Sequence, residues 1–132
     1  MSKAILDALK TRLYATAGLT SIFGTKIYLT EGPMDIVPPL MIYRSASMST
    51  TPYFGSVTRC ELEIEFIFHL GSSGDSTGHT AAAALQTALA TPLTSVTGFD
   101  RVRFTQLESG VPSFADDSWT IVERYRAIAH DT

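Results

Sequence analysis

Residues 60–70 constrain the fold of this chain more than any other segment. Their sequence, CELEIEFIFHL, places apolar side chains at every second position and fills most of the gaps with glutamate or histidine. A period of two is typical of a β-strand, in which alternate side chains point to opposite faces of a sheet. The segment therefore predicts a long strand with one buried face and an outer face that carries Glu61, Glu63 and Glu65.

Length and charge limit the classes of protein to which the chain can belong. The 132 residues suit one domain with a single core, and only 17% of them are charged, against about 25% in typical proteins. A charged fraction this low favours a protein that buries neutral surface in contacts with partners. The alternative is a neutral surface that stays exposed to water. The net charge of -3, without a cluster of lysine and arginine, disfavours binding of DNA or RNA as a primary function. We also expect no signal peptide and no membrane segment, because the first 13 residues predict a charged amphipathic helix.

The periodicity along the chain predicts a mixed arrangement of helices and strands. A first helix begins at Ser2 and is expected to end at Gly18, and a second begins at Asp75 or Ser76 and stops near Pro92. Alternating runs predict strands at residues 25–30, 40–47, 57–70, 101–107 and 119–129. The expected fold is a single α+β domain, with a mainly antiparallel sheet of four to five strands and with the N-terminal helix and one alanine-rich helix packed on one face.

The second helix is unusual because it lacks charge. No Asp, Glu, Lys or Arg occurs from Ser76 to Phe99, and the segment TAAAALQTALA consists mostly of small residues. Small residues let a helix approach a sheet closely, which accounts for part of the pattern. A helix with one face on a sheet nevertheless normally shows charges on the other face. We therefore predict that a second subunit covers this helix, through Ala81, Ala84 and Leu85.

Four arginines on the last two strands are candidates to balance the acidic outer face. Arg101 and Arg103 alternate with apolar residues, and Arg124 and Arg126 share one side of the final strand. If these strands flank the long one, the arginines would face the three glutamates in cross-strand pairs worth about 0.2–1 kcal/mol each. The alternative is that the acidic face meets another subunit or lines a channel. The predicted subunit interface comprises Glu61, Glu63, Glu65, Ala81, Ala84, Leu85, Arg124 and Arg126.

Two loops carry apolar side chains that look exposed. Residues 31–38 contain Met34 and Ile36, and the uncharged residues 48–55 contain Tyr53 and Phe54. The second loop lies between two strands and could be the tip of a projecting hairpin, or its aromatic side chains could fold back onto the core.

The sequence offers little for catalysis. His69, His79 and His130 are far apart and lack the spacing of a zinc site. No nucleophile elbow, phosphate-binding glycine loop or dinucleotide fingerprint occurs. Cys60 is on the apolar side of its strand, which predicts a buried and inert thiol. We expect no enzyme activity, no metal and no cofactor.

The order of these segments resembles one known family. An opening helix, SKAILDALKTRL, is followed by GLTSIFGTKIY, then by the proline-led strand PPLMIYR, the long alternating strand, the alanine-rich helix and two C-terminal strands. Over nearly all 132 residues this resembles the tail terminator, or tail-completion, proteins of long-tailed bacteriophages and gene-transfer particles. The chain departs from the family in its longer stretch LTEGPMDIVPP, which affects loop contacts rather than the fold.

The resemblance implies a structural role in a virion. Tail terminators form a hexameric ring that caps the finished tail tube, halts its polymerisation and joins it to the head and neck proteins. The resemblance implies that the protein has no cofactor and that DNA only passes through the ring as cargo. The location implied is the head–tail interface, after assembly in the host cytoplasm. By this resemblance the helix at 81–89 and the outer face of the long strand would contribute ring contacts. The tail tube or neck would meet Met34, Ile36, Tyr53 and Phe54.

Two other classes of protein remain compatible with the sequence. The first is another ring component of the same particle, such as a head–tail connector or stopper, since small α+β phage proteins resemble one another. The second is a cytoplasmic ligand-binding α+β domain that uses the face of its sheet as a pocket.

Overall fold

Three helices and six strands make up the part of the chain that the computed structural model describes, which is residues 2–29, 39–52, 58–71, 75–94, 96, 99–108, 110, 112–115 and 118–131. The helices are α1 (Ser2–Tyr14), α2 (Ala17–Phe23) and α3 (Asp75–Ala90). The strands are β1 (Ile27–Leu29), β2 (Leu40–Pro52), β3 (Thr58–Gly71), β4 (Phe99–Glu108), β5 (Ser113–Ala115) and β6 (Ser118–Asp131).

The strands form one sheet in the order β1-β2-β3-β6-β4, and β5 also pairs with β6. β1 pairs with β2 in parallel, and every other pairing is antiparallel. The predicted α+β fold with a mainly antiparallel sheet is confirmed. The sheet has six strands among the described residues, more than the four to five expected, because the polar loop before the last strand contains the three-residue β5.

Two predicted boundaries are wrong for reasons of packing. Gly18 does not end the first helix, which stops at Tyr14; it lies inside α2, where a Cβ would come 2.8 Å from the Cβ of Ala84 on α3. The glycine thus permits close contact between two helices. Residues 48–52 are not a loop, since β2 continues to Pro52 and pairs with β3 as far as Thr58. Pairing with the neighbouring strand extended β2 beyond what local sequence indicated.

The alternation along β3 places its apolar side chains in the core as predicted. Six of them are 0% exposed: Cys60, Leu62, Ile64, Phe66, Phe68 and Leu70. Phe66 is the centre of an aromatic group, with its ring 6.4 Å from that of Tyr43 and 5.7 Å from that of Tyr125. Buried residues of all three helices, including Ile5, belong to the same cluster, so the helices cover this inner face and leave the other face of the sheet uncovered by described helices.

One arginine joins the first helix to the last. The guanidinium of Arg12 donates hydrogen bonds to the carbonyl oxygens of Ala88 and Thr91, both at 2.8 Å, and of Pro92 at 3.3 Å. The last carbonyls of a helix lack intrahelical donors, and a cation there also interacts favourably with the helix dipole. Arg12 therefore caps the C-terminus of α3 from outside that helix.

Replacing Arg12 by alanine should lower the free energy of unfolding by about 1–3 kcal/mol, because three carbonyls lose a charged donor. The free energy of unfolding of Arg12→Lys should lie between those of the wild type and Arg12→Ala, since lysine keeps the charge but lacks the planar guanidinium fork. Urea denaturation followed by circular dichroism measures the change. The matched control is Lys10→Ala, an exposed cation on the same helix, which should stay within about 0.5 kcal/mol of the wild type. Equal effects of Arg12→Ala and Lys10→Ala would contradict the capping role.

Candidate interaction surfaces

The outer face of the sheet is charged but balanced. Each of the three glutamates on β3 lies within ion-pair distance of an arginine: Glu61 at 2.6 Å from Arg59, Glu63 at 3.8 Å from Arg126, and Glu65 at 3.6 Å from Arg44. All of these groups are partly exposed, so each pair contributes at most about 1 kcal/mol. The pairs of Glu63 and Glu65 join β3 to its two neighbouring strands and favour the observed register, whereas Arg59 and Glu61 both belong to β3.

The predicted partners of the glutamates were only partly right. Arg126 lies opposite Glu63 as expected, but Arg124, although opposite Glu65 in register, has its guanidinium 3.7 Å from Glu108 of β4. Arg44 and Arg59 pair with Glu65 and Glu61 instead, and the sequence signal for them is that each occupies a position between the buried apolar residues of its strand, next to Tyr43 and to Cys60.

Arg101 and Arg103 do not flank the acidic strand. β6 lies between β4 and β3, so both arginines are two strands away from the glutamates. Both are exposed, and neither forms an ion pair with any described residue. The prediction that they face the acidic side chains is wrong within one chain, because the order of strands in the sheet is not the order in the sequence.

Helix α3 presents different residues from those predicted for a subunit interface. Ala81 and Leu85 are 0% exposed and pack in the core of their own chain, which contradicts their assignment as contacts to a second subunit. Ala84 is half-buried, with its Cβ towards Gly18 of α2. At Ala84, α2 of the same chain packs against α3, on the helix that the sequence analysis assigned to contact with a second subunit. The exposed face has no Asp, Glu, Lys or Arg and is made of Ser76, His79, Thr80, Ala83, Gln86, Thr87 and Ala90.

The predicted loop residues Met34, Ile36, Tyr53 and Phe54 lie outside the described residues. The contacts predicted for these four residues therefore stay predictions, but the strands that lead into both segments are described.

The described strands show that the segments 30–38 and 53–57 join the sheet at opposite ends of β2. Leu29 pairs with Tyr43 and Leu40 begins β2, so both ends of the segment 30–38 meet the start of that strand. Pro52, which precedes the segment 53–57, pairs with Thr58 at the other end of the strand. At about 3.3 Å per residue, Tyr43 and Pro52 are roughly 30 Å apart.

Glu123 is a buried carboxylate that sequence reasoning missed. It is 1% exposed and faces the core side of the sheet, and its Oε2 accepts hydrogen bonds from Gln106 Nε2 at 3.0 Å and from the backbone N–H of Gly110 at 3.3 Å. Glu123 thus holds the segment between β4 and β5 against β6. A Cβ on Gly110 would collide with the carbonyl of Val122, so this contact requires glycine. The sequence signal was an acidic residue at an inward position, between Ile121 and Tyr125.

Burial shifts the pKa of two groups of β3, Cys60 and His69, in the direction of the uncharged form. Burial raises the pKa of the Cys60 thiol and lowers the pKa of His69, so both are uncharged near pH 7. Cys60 is wholly buried, which gives it no access to a substrate. No group of three or more His, Cys, Asp and Glu residues within the described ranges could hold a metal ion.

The surface depressions in the described part of the chain include two that are lined by an arginine. One, of about 270 Å³, lies between α1 and the segment after α3 and is lined by Ala8, Thr11, Arg12 and Leu93. The other, of about 410 Å³, lies beside the segment held by Glu123 and is lined by Glu108, Ser113, Thr120 and Arg124. Arg12 and Arg124 are already engaged with carbonyl oxygens and with Glu108, so neither depression offers a free charged group for a ligand.

None of the helices in the described ranges has the length and apolar character needed to cross a bilayer.

Comparison with known proteins was informative at the level of three-dimensional structure. No family model and no curated protein sequence matches this chain. One similar solved chain belongs to a structure described as the virion of a native gene transfer agent particle, with 21% sequence identity, a TM-score of 0.70, and coverage of 98% of this chain and 96% of that one. A second solved chain is 15% identical, with a TM-score of 0.61 and coverage of 98% and 95%. The α+β architecture described above is thus a fold that this chain shares, from end to end, with a chain of a gene transfer agent particle.

Proposed function

We propose that this chain is a structural virion protein of a phage-like particle. It forms a ring that caps the tail tube, stops tube polymerisation and joins the tail to the head and neck. The observation that carries the proposal is the fold likeness to a chain of a gene transfer agent particle over 98% of this chain, at a TM-score of 0.70. A ring subunit has no need of catalysis or a cofactor, and DNA is only cargo that passes through.

The neutral face of α3 supports an assembled state. Thr80, Ala83, Gln86, Thr87 and Ala90 are exposed, together with Ser76 and His79, and none of these residues is Asp, Glu, Lys or Arg. Removing neutral surface from water costs less free energy than removing charged surface, because a buried charge requires a compensating partner. A ring with cyclic symmetry has heterologous contacts, so each subunit must bury two different surfaces. The exposed face of α3 is one candidate, in place of Ala81 and Leu85.

The points at which the segments 30–38 and 53–57 join the sheet support contact with two different partners. The segments 30–38 and 53–57 enter and leave the sheet at ends roughly 30 Å apart along β2. A ring between a tube and a neck must present unlike surfaces at its two ends. We therefore assign Met34 and Ile36 to one partner, and Tyr53 and Phe54 to the other.

Purified protein added to polymerising tail tubes of its own particle tests the proposed function. Negative-stain imaging should show a ring on one end of each tube, and tube length should stop increasing once the protein is present. Native mass spectrometry should give a single closed oligomer, expected to be a hexamer. A protein that stays monomeric with tubes, or tubes that grow past it, would contradict the proposal. Binding to isolated heads but not to headless tails would favour the connector or stopper class instead.

A further inference from the structure

We infer that neighbouring subunits of the ring meet side by side, so that Leu29 and Arg44 at one margin of the sheet contact Leu107 and Glu108 at the opposite margin of the next copy. This inference rests on the proposed ring and names two unlike surfaces that close it. The observations behind it are the positions of the exposed apolar side chains and the order of the charges across the sheet.

The exposed large apolar side chains lie at the two margins of the sheet. Within the described part of the chain they are Leu29, which is 42% exposed, Leu107, which is 39% exposed, and Phe114, which is 54% exposed. Leu29 is on β1, which ends the sheet on one side. Leu107 and Phe114 are on β4 and β5, which both pair with β6 on the side away from β3. A neighbour at each margin would remove this apolar surface from water.

A row of alternating charge crosses the outer face from one margin to the other. Arg44 of β2 lies opposite Glu65 of β3 in register. Arg124 of β6 comes next in the row, and Glu108 of β4 ends it. The row therefore has a cation at one margin and a carboxylate at the other. A second copy placed beside the first at the same height continues the alternation, because Glu108 of one copy then faces Arg44 of the next.

The two terminal side chains of this row have room for a further partner. The side chain of Arg44 is 48% exposed and its Nη2 lies 3.6 Å from Glu65 Oε1. The side chain of Glu108 is 64% exposed and its Oε2 lies 3.7 Å from Arg124 Nη1. Both distances exceed the value of about 2.7–2.9 Å for a charged hydrogen bond. A guanidinium carries several N–H donors and a carboxylate several acceptor sites, so each group can also bind a partner in a neighbouring copy.

The apolar and charged residues of the two margins lie at matching heights along the strands. Leu29 pairs with Tyr43 at the end of β1, and Arg44 follows on β2. Leu107 precedes Glu108 where the register of β4 shifts, so the two leucines differ in height by less than about 7 Å. With β4 of the neighbour beside β1, the Cα atoms of Arg44 and Glu108 are two strand spacings apart, roughly 10 Å. A long arginine side chain spans most of that distance.

The two ends of β4 differ in what lies beside them. Leu93 pairs with Val102 through two backbone hydrogen bonds of 2.9 Å, so the segment after α3 lies along the first part of that strand. Glu108 is roughly 20 Å further along the strand. The contact that we infer is therefore made by side chains at the end of β4 and not by pairing of its backbone.

A side-by-side arrangement agrees with partners at the two ends of the sheet. The segments 30–38 and 53–57 join the sheet at opposite ends of β2, and a contact through the margins leaves both ends of the sheet to other proteins. The two margins carry different residues, as the heterologous contact of a cyclic ring requires.

Reversal of the two terminal charges tests the contact. We expect Arg44→Glu and Glu108→Arg each to raise the dissociation constant of the ring roughly tenfold or more in analytical ultracentrifugation, because like charges would then face each other between subunits. A chain with both substitutions should assemble with a dissociation constant within about threefold of the wild type, since the ion pair is restored in reverse. Single variants without a loss, or a double variant with the product of both losses, would overturn the inference.

Thermal unfolding of the monomers separates effects on folding from effects on assembly. Within one chain Arg44 and Glu108 are three strand spacings apart, roughly 14 Å, so the effects of the two substitutions on the midpoint temperature should add. Coupling that occurs in the ring and not in the monomer belongs to the contact between subunits. Equal coupling in the monomer would overturn the inference. The matched control is Lys10→Glu, an exposed cation of α1, which should leave the dissociation constant of the ring unchanged.

Cross-linking supplies a second readout that does not depend on charge. With a flexible bifunctional maleimide, a mixture of Leu29→Cys chains and Leu107→Cys chains should give cross-linked dimers, and neither variant should do so alone. Cys60 should not react because it is buried. Dimers from Leu29→Cys alone would indicate a twofold contact, and an intact mixed ring without cross-links would exclude the contact at these margins. Either result would overturn the inference.

The tests of assembly and of tube capping have separate outcomes. A ring with these cross-links that fails to cap tubes would leave the inference standing and contradict the proposed function. A ring that caps tubes without these cross-links would contradict the inference alone.

Discussion

Replacing Phe66 by alanine should cost about 3–5 kcal/mol of unfolding free energy, the largest effect that we expect from a single substitution in this chain. Phe66 is 0% exposed, and its ring contacts those of Tyr43 and Tyr125 from the strands on either side. Truncation removes the buried ring and also leaves a cavity between three strands. The midpoint temperature of thermal unfolding should fall by roughly 10–20 °C for a domain of this size.

The neighbouring residue provides the matched control for Phe66. Ile67 follows it on β3 but points to the outer face, where it is only partly buried. Ile67→Ala should therefore cost about 1 kcal/mol, several times less than Phe66→Ala. Guanidinium denaturation of the two variants measures both values. Equal losses would mean that the two faces of β3 are buried to the same extent, which would contradict the one-sided packing of the helices.

Stability should fall steeply between pH 10 and about pH 12. Burial raises the pKa of Tyr43 from 10.0 to about 12, with smaller contributions from the nearby Tyr14 and Asp7. Burial likewise raises the pKa of Tyr125 to about 12, with a smaller contribution from Glu123. The folded protein therefore keeps these two phenol protons at a pH where the unfolded chain has released them. The stabilisation is complete below pH 10 and is lost as the pH rises through 12.

The size of this alkaline loss follows from the two pKa values. A rise of the pKa from 10.0 to about 12 corresponds to a loss of roughly 2–3 kcal/mol of unfolding free energy for each tyrosine. Urea denaturation at a series of pH values measures it, and a variant with Tyr43→Phe and Tyr125→Phe should show a much flatter decline. Tyr28→Phe on the edge strand β1 is the control and should decline like the wild type. A double variant that still loses stability as steeply would assign the loss to other groups.

Patterns that depend on near neighbours in the chain were predictable. The alternation along β3 indicated its buried face residue by residue, and the first 13 residues indicated an amphipathic helix, of which Ile5, Leu9 and Leu13 are 0% exposed. Such periodicity survives folding because a strand or helix that buries one face must repeat its apolar residues at the period of its geometry. The absence of charge on α3 could also be predicted from the sequence. Which residues of this helix remain exposed could not.

Contacts between distant segments were not predictable in this way. The cap that Arg12 places on α3 joins residues 76–80 positions apart, and no local pattern marks it. Glu123 looked like an ordinary acidic residue of a strand until the strand register placed it on the core side.

The sequence by itself determined the fold class, the buried face of β3 and the acidic composition of its outer face, because these follow from which residues alternate. Only the tertiary structure decided the partners of Glu61, Glu63 and Glu65. It placed Arg44, Arg59 and Arg126 beside them and left Arg101 and Arg103 at the edge of the sheet. The physical reason is that side-chain alternation is a property of one strand, whereas strand order is set by how the core packs all of them together.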